Sequence, residues 1–183
     1  MSTFSRLGGL AAALLVAGCQ GATVVRPATY ESYTPQYAAA MHQLELIGTA
    51  EGPDGTARLA ATAAEGIAQG SMAGPQFTLY PRKAEEPQYG NRVVVVIGGG
   101  NGATLCAAPP QQGAELRAPG PLRVAAAACT GASRLSSTTG SVGEISGPDD
   151  PAVARLFRQI GAELFPIRNP NYEDNDRGND WPF

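Results

Sequence analysis

The chain has 183 residues, 23 of them glycine and 15 proline, and small alanine is the commonest residue in its 43% hydrophobic content, with only 7% aromatic and 16% charged residues. Thirteen basic against sixteen acidic side chains leave a net charge of −3, so the electrostatic footprint of a nucleic-acid binder is missing. The same figures exclude a polytopic membrane protein and a coiled coil and leave one modest globular domain with irregular ends.

Arg6 is followed by an uncharged run, Leu7 to Gly18, which ends at Cys19; the polar chain begins at Gln20. The run is too short to span a bilayer, which takes roughly 20 apolar residues, and it reads as an export signal. Its end, Leu15-Val16-Ala17-Gly18-Cys19, resembles the lipobox of bacterial lipoproteins. That resemblance implies cleavage before Cys19, lipid on its thiol, and attachment to a membrane without a transmembrane helix. An ordinary signal peptide with an incidental cysteine is the competing reading. In enteric bacteria an Asp after the lipidated cysteine favours retention in the inner membrane; Gln20 stands there, which implies the outer membrane. The chain then divides into a signal peptide over 1–18, a lipid-anchored tether over 19–40, a globular domain over 41–166 and a polar, flexible tail over 167–183.

The tether shows little periodicity and carries Pro27, Pro35, Tyr30, Tyr33 and Tyr37. It is either a free linker or a segment whose tyrosines pack back on the domain. Gln43 to Thr49 reads as a strand ending in the turn residues Gly52-Pro53-Asp54-Gly55. Asp54 can cap a helix running to about Gln69, with Leu59, Ala60, Ala63, Ala64, Ile67 and Ala68 at helical spacing and Gly70 at its end. A stripe of such small residues lets the helix lie close against a sheet.

Phe77 to Tyr80 reads as a second strand. Arg92 to Ile97 reads as a third, apolar on both faces and therefore central. Leu122 to Thr130 and Arg134 to Ile145 follow as a fourth and fifth, joined around Gly131-Ala132, with Gly140 and Gly143 as possible interruptions. The last helix starts at Asp150 as cap and Pro151 as first residue, buries Val153, Leu156, Phe157, Ile160 and Leu164, and stops before Pro166. The fold class is α+β: a two-layer sandwich of a mostly antiparallel sheet of four to five strands with two helices on one face, in the order β-α-β-β-β-β-α.

Candidate chemistry is sparse. Gly98-Gly99-Gly100-Asn101-Gly102 after a strand imitates a dinucleotide fingerprint, which works only if a helix begins at the glycines and aims its amides at a pyrophosphate. Pro109-Pro110 follow too soon for such a helix, so the glycines are read as a wide loop and a possible ligand or partner rim, with no cofactor expected. Cys106 and Cys129 remain once Cys19 is lipidated. An even pair in an exported domain implies a disulfide closing 23 positions, worth roughly 3 kcal/mol; a reactive or metal-binding thiol is the alternative. His42 is the only histidine, which leaves zinc catalysis short of ligands and any Ser/His or Cys/His pair dependent on one position. The hydroxyls from Ser133 to Ser141 read as strand residues before they read as nucleophiles. Asp174 to Asp180 imitates a calcium loop but lacks its sixth-position glycine and twelfth-position carboxylate, so no metal is expected. Trp181 and Phe183 close the tail as a possible partner-docking element.

Several segments together, Arg92 to Val96, Leu105-Cys106, Leu122 to Cys129, Gly147 to Pro151 and Leu164-Phe165-Pro166, resemble a family of uncharacterised exported proteins and lipoproteins of proteobacteria. The resemblance spans most of the domain and implies a compact fold with two cysteines in equivalent places. It carries no activity to transfer, and this chain departs from it in the longer glycine cluster and the polar tail. The functional expectation is a non-catalytic envelope lipoprotein whose domain binds an envelope protein or a cell-wall component, and not nucleic acid. A small-ligand module using the Gly98 to Gly102 loop is the alternative, and a hydrolase depending on His42 comes last.

Overall fold

The computed structural model describes residues 22–31, 33, 36, 39–72, 78–81 and 90–167. Among the described residues these elements follow in chain order: β1 Thr23–Val25, β2 Thr29–Tyr30, β3 Gln43–Ile47, β4 Thr49–Ala50, α1 Gly55–Gly70, β5 Tyr80–Pro81, β6 Asn91–Ile97, β7 Glu115–Leu116, β8 Gly120–Thr130, β9 Ser133–Ile145 and α2 Pro151–Leu164. The main sheet has the order β1-β9-β8-β6-β3-β5, with β2 also paired to β9, and β4 and β7 form a small second sheet. The α+β class holds. The sheet is larger than expected, seven strands, and it is mixed.

β6 is central, as its valine run requires. Val93, Val95 and Ile97 enter the core under the helices, while Val94 and Val96 enter a smaller core on the opposite face. β8 pairs antiparallel with both β6 and β9, and the β8–β9 turn falls at Gly131, where φ is +58°. β3 runs parallel to β6 because α1 lies between them in sequence, and a parallel pair needs such a crossover. β3 ends at Ile47, and Thr49 belongs to the second sheet instead. Of the strand expected from Phe77 to Tyr80, Tyr80–Pro81 pairs with the edge of β3, a place where proline is tolerated; Phe77 lies outside the described residues.

The stretch expected as a tether supplies β1 and β2 instead. Both pair antiparallel with β9, and Val25 and Tyr30 pack against the main core. Tyr33 is fully buried and donates to the Pro166 carbonyl at 2.8 Å, while the Tyr30 hydroxyl donates to the Glu163 carbonyl. Of the two readings of this segment, the packed one is correct, because two phenol rings and their hydroxyls find partners on α2 and in the segment just after it that a solvated linker would forgo.

Burial, assisted by the charge of Glu163, pushes the Tyr30 phenol up to about 12. Burial with the neighbouring Tyr30 does the same for Tyr33. The folded state therefore favours the protonated phenol. The stabilisation is complete below the ordinary tyrosine value near 10 and is lost as pH rises through about 12. Alkaline titration followed by phenolate absorbance should show a late-ionising fraction that coincides with loss of tertiary structure, and the Tyr30→Phe, Tyr33→Phe double variant should lack it. An unchanged late fraction in that variant would refute the assignment.

α2 begins as its sequence dictates. The Asp150 carboxylate accepts the Ala152 N–H at 2.8 Å and the Ser146 N–H at 2.9 Å, with Pro151 in the first turn. The backbone bond from Ser146 and then that from Ala152 hold this carboxyl below its ordinary range. The cap is thus intact above about pH 4 and is lost as pH falls through the lowered value. Asp150→Ala should cost about 1 kcal/mol at neutral pH in a denaturant titration, and the gap to the parent should close in strong acid.

Asp54 behaves differently. It occupies the position before α1 with φ +59° and makes no side-chain cap. The expected stripe residues Leu59, Ala63, Ala64 and Ile67 lie in the core with the sheet's Val93 and Val95, while Gly66 and Gly70, outside that stripe, bring α1 close to α2.

Candidate functional site

Both helices cover one face of the sheet, so the candidate surface is built on the other. Alternation places Gln43, Glu45 and Ile47 of β3, Arg92, Val94 and Val96 of β6, and Arg123, Ala125, Ala127 and Cys129 of β8 on that helix-free face. Ser137, Thr139 and Ser141 of β9 continue it, and Val24 and Thr29 lie opposite Ser141 and Ser137 at the edge. The middle of this face is apolar and the β9 side is rich in hydroxyls.

The segment 98–114 folds over the apolar middle. Gly98, Gly99 and Gly100 have φ of +96°, +85° and +149°, values that side chains avoid, so the turn away from β6 depends on the expected glycine cluster. Asn101 then caps a single 3-10 turn, Gly102–Thr104, by accepting the Ala103 N–H at 3.0 Å. No dinucleotide-type helix follows the glycines. Leu105 and Cys106 drop into the outer core beside Val94, Val96, Ala125 and Ala127. The expected disulfide joins Cys106 to Cys129 of β8, with the Cα atoms 5.5 Å apart. The loop returns at Ala114, whose N–H donates to the Ile97 carbonyl at 2.9 Å.

Arg92 is the second clamp, and its role was not legible in the sequence. Only 4% exposed, it donates through Nε to Glu45 at 3.1 Å, through Nη1 to the Gly131 carbonyl at 2.9 Å and through Nη2 to the Cys106 carbonyl at 3.4 Å. One guanidinium thus ties together β3, the β8–β9 turn and the cysteine loop. The sequence clue was an arginine opening an otherwise apolar central strand, where a buried charge requires partners.

Two concavities flank the loop. One of about 380 Å³ is lined by Gly98 to Asn101 on one arm and Gln112 to Ala114 on the other. The second, of about 240 Å³, lies between Asn101 to Ala103 and the hydroxyl side of β9. Away from this face, an apolar groove of about 720 Å³ runs between α1 and β5, and Met72 and Tyr80 on its wall are 56% and 64% exposed.

Three hydroxyls of β9 are spoken for structurally. Ser136 Oγ donates to the Leu164 carbonyl at 2.8 Å, Thr138 Oγ1 donates to the Arg26 carbonyl, and Ser137 Oγ shares a hydrogen bond of 3.0 Å with Thr29. His42 is exposed at the start of β3, and its carbonyl accepts the Tyr80 N–H at 2.8 Å. In the sheet order β3 stands three places from β9, about 14 Å at the usual strand spacing, so His42 and these hydroxyls do not form a nucleophile and base pair. Among the described residues, no group of three or more His, Cys, Asp or Glu is placed to hold a metal ion, and no helix is long and apolar enough to cross a membrane. Cys19, Trp181 and Phe183 lie outside the described residues.

No family model matches the chain, and no curated protein matches it. Two solved structures from Paraburkholderia phytofirmans are similar to it. A dodecamer of a PelC point variant shares 12% identity at a TM-score of 0.44, over 81% of this chain and 99% of that one. The PelC dodecamer itself shares 12% identity at 0.45, over 78% and 98%. At that depth the likeness supplies no correspondence between individual residues. The candidate surface therefore stands on its own geometry: a glycine turn, a disulfide and a buried arginine that fix one loop over a sheet face, with a concavity on either side.

Proposed function

We propose that the chain is a bacterial envelope lipoprotein, anchored through Cys19 and facing the periplasm from the outer membrane. Its domain is a non-catalytic binding or assembly-accessory module that meets an envelope protein or a cell-wall component through the helix-free face. The observation that carries this reading is the Cys106–Cys129 disulfide. It closes the loop 98–114 laid over that face, and such bonds persist in exported rather than cytosolic proteins. The lipobox-like Leu15 to Cys19 and the resemblance to exported proteobacterial lipoproteins support the same compartment. The separation of His42 from the β9 hydroxyls favours binding over hydrolysis.

The test is fractionation of cells producing the full chain, with intact-mass analysis of the product. The parent protein is expected in the outer-membrane fraction, beginning at Cys19 and carrying acyl mass, while Cys19→Ala leaves that fraction. A protein that keeps Met1 without lipid, or has free thiols at Cys106 and Cys129 when taken directly from cells, would overturn the reading. A small-ligand role is the second reading, favoured by the concavity of about 380 Å³ at Gly98 to Asn101, which falls within the usual size range of ligand pockets.

A further inference from the structure

The smaller concavity has a composition that its neighbour lacks. Arg26, Pro27 and Thr29 from the β1–β2 edge, Arg134, Ser137 and Thr139 from β9, and Asn101 to Ala103 from the loop converge on about 240 Å³. Gly102 is part of its wall: a Cβ there would stand 3.0 Å from the Ser137 Cβ and 3.1 Å from its Oγ.

The charge is uneven. Arg134 pairs through Nη2 with Glu31 and donates through Nη1 to Ser137 Oγ at 3.2 Å. Its Nε is buried and has no acceptor among the described residues. Arg26 is exposed and forms no ion pair with a described carboxylate. Two guanidiniums thus stand against one ion-paired carboxylate, in a chain whose net charge is −3. With Ser137 accepting from Arg134, its own proton can go to Thr29 Oγ1, 3.0 Å away, which leaves the Thr29 O–H available to something in the pocket.

This is the equipment for one ligand class. A guanidinium presents paired donors that match a carboxylate, and Arg26 is the guanidinium here that no described carboxylate holds. Hydroxyls such as Thr29 and Thr139 exchange hydrogen bonds with other hydroxyls. Pro27 and Ala103 add an apolar wall, and the volume, below the usual range of ligand pockets, limits any occupant to a single small unit. We propose that this pocket binds an acidic sugar unit, with Arg26 at its carboxylate, Arg134 adding positive charge beside it, and Thr29 and Thr139 at its ring hydroxyls. The proposal rests on the helix-free face being the binding face, and it gives that face a ligand.

The experiment is calorimetric titration of the full chain in detergent with a galacturonate trisaccharide, the matching neutral galactose trisaccharide and inorganic phosphate. The acidic trisaccharide is expected to bind saturably, more weakly as salt rises, and the neutral one not at all. Arg26→Gln should weaken the acidic sugar by about tenfold or more, and Thr139→Val should weaken it while leaving the salt dependence intact. Equal binding of the neutral sugar, phosphate binding as tightly as the acidic sugar, no saturable binding to the parent protein, or no effect of either variant would each overturn the proposal. Arg26 is exposed beside the edge strands and Thr139 is half-buried on the inner strand β9, and circular dichroism of the variants checks that they fold. Lipidation at Cys19 is read separately by mass, so failure here leaves the proposed compartment standing.

Discussion

Replacing both Cys106 and Cys129 with Ala should lower the stability of the domain by about 3 kcal/mol in a chain-entropy account. The bond closes 23 positions, from the 3-10 turn to the end of β8, and without it the unfolded chain regains that freedom. The loss should not be spread evenly. β8 and β9 keep their long antiparallel ladder, so the hairpin survives, whereas segment 98–114 keeps the burial of Leu105, the Arg92 bond to the Cys106 carbonyl, three backbone bonds at its ends and the bonds of its own turns. Amide exchange should therefore quicken within 98–114 well before it quickens in β6 or β8. A double variant with parental stability and parental exchange in the loop would show that the disulfide constrains nothing, and reduction of the parent protein should reproduce the variant.

The second large effect is expected where the helices cross. A Cβ on Gly161 of α2 would lie 2.2 Å from the Ile67 carbonyl oxygen of α1. One on Gly70 of α1 would lie 1.8 Å from the Arg158 carbonyl oxygen. The obstructing atoms are backbone, which cannot rotate away, so the helices must separate and open the core around Leu59, Ile67, Phe157 and Ile160. Overpacking of this kind costs up to about 3 kcal/mol. Alanine recovers up to about 1 kcal/mol of helix propensity over glycine, so Gly161→Ala should be destabilising by about 2 kcal/mol net. Ala162→Gly, at an exposed position on the same helix, supplies the control for propensity alone, a loss of about 1 kcal/mol. Denaturant midpoints measure both, and a Gly161→Ala variant more stable than the parent would refute this crossing.

What the sequence revealed was whatever a strong local pattern encodes. Val93 to Ile97 is apolar at every position, which only a strand buried on both faces explains, and β6 is such a strand. Asp150-Pro151 followed by apolar residues at helical spacing defines α2 to its ends. The glycine cluster and the even cysteine pair located the loop and its disulfide. The elements that escaped were those whose structure comes from distant partners. β1 and β2 have three and two residues and owe their shape to β9, while each sends one side chain, Val25 or Tyr30, into the core. β3 gave no hint of running parallel to β6, since direction follows from the crossover rather than from the strand's own residues. Asp54 carried the right residue type for a cap but adopted a left-handed backbone instead. The polar pocket was hidden for the same reason as β1 and β2: Arg26 and Thr29 reach Thr138 and Ser137 across separations of 112 and 108 residues, so no window of sequence contains the site.

The early start of the sheet sets a limit on reach. β1 begins at Thr23, four residues after Cys19, and a fully extended chain of that length covers about 14 Å. With acyl chains on Cys19, the domain would work pressed to the lipid headgroups, unable to stand out toward the middle of the periplasm. Any macromolecule it meets must then come down to the bilayer or already reside there.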